Sequence, residues 1–266
     1  MSVLEITTVN KCVMDCTFCP QNAFQKNYRG SGSLSLENFK TVLSKLPKDI
    51  EIDFSGFAEP FLNPRCMDMI EYASSEGFEV RLYTTLVGLR FDDVERLKKC
   101  NPKLILHLPD NLGNAKIPVT ETYLKTLGKV LQTMRVDAFS VMNENFRSNG
   151  RAGLLPNSEQ KRIRGRFNCT KLVYPQVDML PNCDVVLCCM DFGLRHRLGN
   201  LLEMSYAEII ASPEFQKVRL SRFRTGIDSI CKNCSFAAPI HKYYAMGFGR
   251  QINRLCGGKL SKIFPP

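Results

Sequence analysis

The chain of 266 residues contains no tryptophan and only three histidines. No run of eighteen apolar residues occurs, which excludes a membrane-spanning helix of the usual kind. The opening MSVLEITTVN lacks the basic start and apolar stretch of a secretory signal. Internal repeats and low-complexity tracts are absent, and no aromatic ladder interleaves the basic residues as a single-strand nucleic-acid platform requires. A cytoplasmic location is expected, and thiols stay reduced there. The twelve cysteines are therefore read as metal ligands rather than as a disulfide framework.

What the chain has in excess is positive charge, +10 at neutral pH. Much of it lies late, in KRIRGR at 161–166 and in Arg219, Arg222, Arg224, Arg250, Arg254, Lys259 and Lys262. Such a balance admits nucleic acid or an anionic small substrate as partner, but charge alone does not make a site. Nucleic acid is the less favoured of the two.

Residues 1–145 alternate strand and helix signals. Strands are expected at 3–7 (VLEIT), 50–54 (IEIDF), 78–83 (FEVRLY), 103–108 (KLILHL) and 137–142 (DAFSVM), with helices at 35–46, 65–75, 91–100 and 120–134 between them. This alternation indicates βαβ units and a parallel α/β sheet, with ligands at the C-terminal strand ends. Residues 146–168 are polar, glycine-bearing and basic, and read as a linker. Residues 169–266 read as a small cysteine-rich module, with strand-like stretches at 171–174 and 185–187 and helices at 205–211 and 213–222.

The most informative stretch is KCVMDCTFCPQ, where Cys12, Cys16 and Cys19 form CxxxCxxC immediately after the first strand. A structural zinc or iron–sulfur site takes four protein ligands, whereas three thiolates leave one coordination position open to substrate or cofactor. This loop, with Phe18 before its last cysteine and Pro20 after it, resembles that of the radical S-adenosylmethionine (radical SAM) enzymes. The resemblance implies a [4Fe–4S] cluster on Cys12, Cys16 and Cys19 whose open iron chelates S-adenosylmethionine. Reductive cleavage of that cofactor then gives a 5′-deoxyadenosyl radical. The segment FSGFAEPFLNP resembles the family's GGEP motif and implies Ser55, Gly56 and Glu59 at the methionine end of the cofactor, with Pro60 shaping the turn. Phe57-Ala58 stands where the family has glycine. Thr84 and Thr85 match the segment that meets the cofactor's ribose, and Phe18 is carried over with the cysteine loop.

Further on, Cys169, VLCCMDFG, GNLLEMSYAEII and CKNC together resemble the C-terminal half of radical SAM enzymes with a SPASM or shorter twitch module. The fold implied is a partial (β/α)6 TIM-like barrel followed by that module. The resemblance favours one further, fully ligated [4Fe–4S] cluster on Cys169, Cys188, Cys231 and Cys234, with Cys189 the rival of Cys188 because adjacent extended residues face opposite ways. A zinc site on the same four thiols is the alternative. Cys66, Cys100 and Cys256 are expected to be ordinary core or surface thiols, and Cys183 is a further downstream cysteine.

Among twitch-type enzymes, similarity in size and plan implies dehydrogenation of a secondary alcohol on an aminocyclitol, with the second cluster accepting an electron. Candidate substrate residues are His107 and Asp110 at the fourth strand end, Glu144 after the fifth, Arg151 in an Arg-Ala-Gly motif, and Asp191 in CCMDFG. The expected partners are a small sugar or aminocyclitol, with the basic cluster at 161–166 hinting at an anionic one, and a reductant such as flavodoxin or ferredoxin. Epimerisation or peptide modification uses the same architecture. An epimerase needs a hydrogen-atom donor, for which Cys183 or Cys189 could serve. A peptide-modifying enzyme often adds a leader-binding domain, for which the chain leaves no room before its first strand.

Overall fold

The computed structural model describes residues 2–141, 149–155, 162–224 and 226–245. The first half follows the expected alternation: β1 (Val3–Ile6), α1 (Gln21–Asn27), α2 (Leu36–Leu43), β2 (Glu51–Phe54), α3 (Cys66–Ser75), β3 (Val80–Thr84), α4 (Asp93–Cys100), β4 (Lys103–Leu108), α5 (Glu121–Thr133) and β5 (Ala138–Val141). The second half adds β6 (Phe167–Asn168), α6 (Thr170–Val173), β7 (Gln176–Met179), β8 (Asp184–Val186), β9 (Arg197–Asn200), α7 (Tyr206–Ala211), α8 (Pro213–Leu220) and β10 (Ala238–Pro239).

Helix starts obey local chemistry. The hydroxyls of Ser35, Thr120 and Ser212 accept from amides in the first turns of α2, α5 and α8. Ser205 and Glu208 form a reciprocal capping box on α7. By contrast α1 has no side-chain cap and buries only Phe24, so neither capping nor periodicity announces it.

One sheet of eight strands runs in the order β5-β4-β3-β2-β1-β7-β8-β9. Its first six members are mutually parallel, and β8 and β9 are antiparallel additions at the far edge. The sixth parallel strand is thus β7, from inside the segment read as the cysteine-rich module. Residues 171–174 are not a strand as the sequence reading expects: α6 covers most of them, and the strand follows it.

The two faces of the sheet differ sharply. Leu4 and Ile6, Ile52 and Phe54, Leu82, Leu104 and Leu106, and Val177 and Met179 are fully buried in one hydrophobic core with residues of α2, α3 and α4. Each such side chain stabilises the fold by roughly 1.5–3 kcal/mol relative to exposure. The register puts a different set on the opposite face. Asp178 pairs with Glu5, Glu5 with Asp53, and Asp53 with Arg81, so four charged residues form one row across β7, β1, β2 and β3. Gln176, Glu51, Tyr83 and His107 share that face by strand alternation.

Candidate active site

The cysteine loop leaves β1 and is held from several sides. Asp15 takes a left-handed backbone (φ 41°), uncommon for a residue with a side chain. Thr17 bonds Asn114 through both its amide (3.0 Å) and its hydroxyl (3.2 Å). The loop holding Asn114 is itself organised by Asp110, whose carboxylate accepts from the amides of Leu112, Asn114 and Ala115. Asp110, expected near substrate, thus serves as a turn anchor that backs the cysteine loop.

Several of the cysteine sulfurs have polar donors beside them. The amides of Met14, Glu59 and Val13 lie beside the Cys12 sulfur and that of Lys116 beside Cys16, each favouring a thiolate there, and the Gln21 side chain donates to Cys19 at 3.5 Å. Cys16 lies within electrostatic reach of both Cys12 and Cys19, and burial pushes its thiol up to about 11. Donors aimed at sulfur suit a thiolate bound to metal, whose charge they stabilise. Among the described residues Cys66 and Cys183 have no such donor, and neither has Cys188, and burial raises all three thiols. The donor set at Cys12, Cys16 and Cys19 therefore fits a cluster.

Glu59 lies beside this loop, 5% exposed. Its Oε1 accepts from the Thr84 hydroxyl (2.5 Å) and the Phe61 amide (3.3 Å), and its Oε2 from the Thr85 amide and hydroxyl (2.7 Å each). Desolvation outweighs these donors and raises its carboxyl above the usual range. The hydroxyls of Thr84 and Thr85, expected at a ribose, are turned to Glu59. Ser55 Oγ reaches Glu5 Oε1 at 3.5 Å. Gly56 has φ +83°, and a Cβ there would lie 2.0 Å from Thr7 Oγ1 and 2.8 Å from Asp178 Oδ2, so the close approach itself requires glycine.

A second cysteine group surrounds one recess. Cys169, Cys188, Cys231 and Cys234 line it together with Lys171 and Phe236. Cys169 accepts from the amides of Lys171 and Leu172, Cys234 from those of Phe236 and Ala237, and Cys231 from the Ser229 side chain. A single zinc ion would draw four sulfurs to about 2.3 Å from one point. Four thiolates around one recess suit either a zinc ion or an iron–sulfur cluster. Cys189 does not line the recess. It faces the other way, with its sulfur 3.6 Å from Lys171 Nζ and within electrostatic reach of Glu5, Asp178 and Arg151.

Between the two cysteine groups lies the polar face of the sheet, the lumen of the partial barrel. Arg81 pairs with Glu51 (2.5 Å) and Asp53 (3.3 Å), and Lys171 lies 3.6 Å from Glu5. Thr7 donates to Asp178 at 2.8 Å. Among the described residues, Glu5 Oε2, both oxygens of Asp53 and Asp178 Oδ2 have no hydrogen-bond partner. Burial pushes Asp53 up to about 7 and raises Asp178 well above the usual carboxylate range, with Glu5 adding repulsion to both. The sequence reading singled out none of Glu5, Asp53, Asp178, Arg81 or Lys171. The available signal was a charged residue at alternate positions inside otherwise apolar strands, as in LEI, EIDF, VRLY and QVDM.

Of the expected substrate residues, His107 and Arg151 lie at this lumen. His107 stacks on Tyr83 with ring centroids 6.2 Å apart, its Nδ1 has no partner among the described residues, and burial followed by the charge of Arg151 lowers its pKa. Arg151 sits in a left-handed backbone (φ 43°), donates to the Phe18 carbonyl at 3.3 Å and lies 5.3 Å over the Phe192 ring. Strained backbone of this kind persists where surrounding contacts over-determine it. Asp191 is placed differently. It is 1% exposed, and its oxygens accept from the amides of Arg195 (2.9 Å) and His196 (2.8 Å). His196 in turn accepts from the Ile230 amide next to Cys231 and meets Glu214 at 2.7 Å. Asp191 therefore braces the wall of the recess and does not face the lumen. Glu144 and Cys256 lie outside the described residues.

Residues 6–161 match the family model described as the radical SAM superfamily, and residues 169–235 match SPASM, an iron–sulfur cluster-binding domain. The tungsten-containing aldehyde ferredoxin oxidoreductase cofactor-modifying protein of Pyrococcus furiosus is 26% identical over 124 residues, 45% of this chain and 34% of that protein. The chain thus matches about a third of the length of this curated relative. The fold is shared with BtrN in complex with AdoMet and 2-DOIA, at a TM-score of 0.66 and 18% identity over 88% of this chain and 92% of that one. It is also shared with anSMEcpe with bound AdoMet (TM-score 0.53, 13% identity, 88% and 82% covered). Streptococcus suis SuiB bound to precursor peptide SuiA gives a TM-score of 0.52 at 13% identity, with 88% and 69% covered. The match over most of its barrel shows that the chain belongs to the radical SAM superfamily, whose members take a [4Fe–4S] cluster and S-adenosylmethionine, and that it carries a SPASM iron–sulfur domain behind the barrel.

Proposed function

We propose that the chain oxidises a secondary alcohol of a small polyhydroxylated, amine-bearing substrate, of the aminocyclitol kind, held in the lumen. The observation that carries this reading is the four-cysteine recess standing against the lumen, separated from it by Lys171 and Cys189. Four protein ligands leave no open iron for substrate, so the recess suits an electron sink. Cys12, Cys16 and Cys19 would hold a first cluster that, with S-adenosylmethionine, would supply a hydrogen-atom abstractor, and Cys169, Cys188, Cys231 and Cys234 would hold a second one able to take up an electron.

The chain's own residues do the rest. His107, held neutral by burial and with an Nδ1 unpartnered among the described residues, takes the hydroxyl proton. Arg151 closes over the site from Phe18 and Phe192 and orients the substrate's oxygens. Glu5, Glu51, Asp53 and Asp178 face Arg81, Lys171 and Arg151 on the lumen side, with Lys103 at the half-exposed rim, so carboxylates and cations are both available to a substrate's amine and hydroxyl groups. The basic cluster that hinted at an anionic substrate offers no support: Arg162, Arg164 and Arg166 are exposed, and Arg162 pairs with Asp228. The similarity to BtrN, solved with 2-DOIA, agrees with this substrate class. The electron for cofactor cleavage comes from a flavodoxin- or ferredoxin-class reductant.

Anaerobic turnover with 2-deoxy-scyllo-inosamine and its neutral and phosphorylated analogues tests the reading. Ketone and 5′-deoxyadenosine in equal amounts, without solvent deuterium in the product, are expected. Cys189 motivates a second reading, epimerisation, because its thiol faces the lumen beside Lys171. A product carrying one solvent deuterium and no ketone would establish that alternative, and Cys189→Ser would then abolish it.

A further inference from the structure

Lys171 reaches both sides of the wall between the recess and the lumen. It lies two residues after Cys169 in the first turn of α6, lines the recess with Cys169 and Cys188, and points its ammonium past Cys189 to Glu5 on β1. The side chain is only 15% exposed. A buried ammonium is costly unless compensated, yet the sulfur and the carboxylate nearest it each stand at 3.6 Å. The ammonium donates to the Cys189 sulfur at an ordinary N–S length, while the Glu5 carboxylate lies beyond the about 2.7–2.9 Å of a charge-assisted N–O bond. The same ammonium is within electrostatic reach of Cys188 in the recess, so its charge acts on both sides of the wall.

We propose that Lys171 is a positioning residue whose fixed positive charge makes the recess a better electron acceptor. The inference rests on the two-centre oxidoreductase reading. In that reaction the carbinol carbon gives up a hydrogen atom to the cofactor, its hydroxyl gives a proton to His107, and one electron leaves for the recess. The C–H and O–H bonds are thereby replaced by a carbon–oxygen double bond. Each electron entering the recess adds one negative charge behind four thiolates. A cation in the same wall favours the reduced form over the oxidised one, by Coulomb attraction in a region largely shielded from water. The opposing charge of Glu5, set on the lumen side, keeps the ammonium facing both compartments. No change in the protonation of Lys171 is needed.

The test is a redox titration of the anaerobically reconstituted holoenzyme, followed by electron paramagnetic resonance, on wild type, Lys171→Met and Lys171→Arg. The N-terminal centre is recognised by its response to added S-adenosylmethionine. In Lys171→Met the potential of the C-terminal centre is expected to move negative, the N-terminal potential to stay, and Lys171→Arg to restore the wild-type value. Loss of the C-terminal iron in Lys171→Met with retention in Lys171→Arg also supports a requirement for charge. An unshifted C-terminal potential in Lys171→Met, with both clusters present, overturns the role of Lys171 alone. Loss of that iron in both variants also overturns it, by making Lys171 a packing residue. A wild type holding only one cluster removes the two-centre reading and this inference with it.

Discussion

Replacing Glu59 by glutamine changes one oxygen for an amino group, and the structure sets what that costs. Four donors converge on the carboxylate, two on each oxygen. The Thr84 and Thr85 hydroxyls can rotate to become acceptors, but the Phe61 and Thr85 amides cannot. Whichever way the glutamine amide is flipped, its NH2 meets a backbone N–H and leaves that donor buried without an acceptor. Losing a bond to a charged group costs about 1.5–3 kcal/mol and orphaning a buried donor about 1–3 kcal/mol. Relief of the desolvated charge returns part of this, so a net loss of about 3 kcal/mol is expected. For a chain of this size that is a fall in Tm of roughly 6–12 °C. Thermal scanning of anaerobically reconstituted protein, beside titration with S-adenosylmethionine, measures both consequences. If Tm stays within about 2 °C of wild type while cofactor affinity collapses, Glu59 is chiefly a cofactor contact and the four-donor account is wrong.

Three further outcomes follow from other parts of the site. Asp53→Asn is expected to raise stability at pH 8 by a few kcal/mol and to leave it unchanged near pH 4. The folded pKa of Asp53 lies above its unfolded value, so the wild type loses stability as pH rises from about 4 to about 7; denaturant unfolding across that range measures it, and a pH-independent difference would contradict the assignment. Gly56→Ala places a Cβ 2.0 Å from Thr7 Oγ1 at a positive φ, costing about 1–2 kcal/mol for the backbone and more for the disrupted Thr7–Asp178 bond; a stability within 1 kcal/mol of wild type would show that the approach is not so tight. Asp191→Ala removes the acceptor of two buried amides beside the recess. Iron content is expected to fall by the share of one cluster with the N-terminal signal retained, whereas a fully loaded variant with impaired turnover would return Asp191 to the substrate.

The sequence alone determined the parts of this protein that depend on neighbours along the chain. CxxxCxxC after a strand, the helix beginning at Ser205 and the alternation of five strands with helices are all local patterns, and all are found where they were read. Even the division of labour among the cysteines was partly local, since CKNC and the Cys169 turn bring their own amide donors to sulfur. Tertiary structure decided the rest, because the deciding contacts join residues far apart in sequence. The Thr7–Asp178 bond spans 171 positions, and the acidic row exists only because β7 returns to pair with β1. The turn that follows β8 sends Cys188 into the recess and Cys189 toward the lumen, a choice that two adjacent cysteines cannot reveal in one dimension. For the same reason Asp191 looked like a substrate residue by its place after the cysteine pair: its two partners are backbone amides brought round by a turn, and a backbone amide carries no side-chain signature in the sequence.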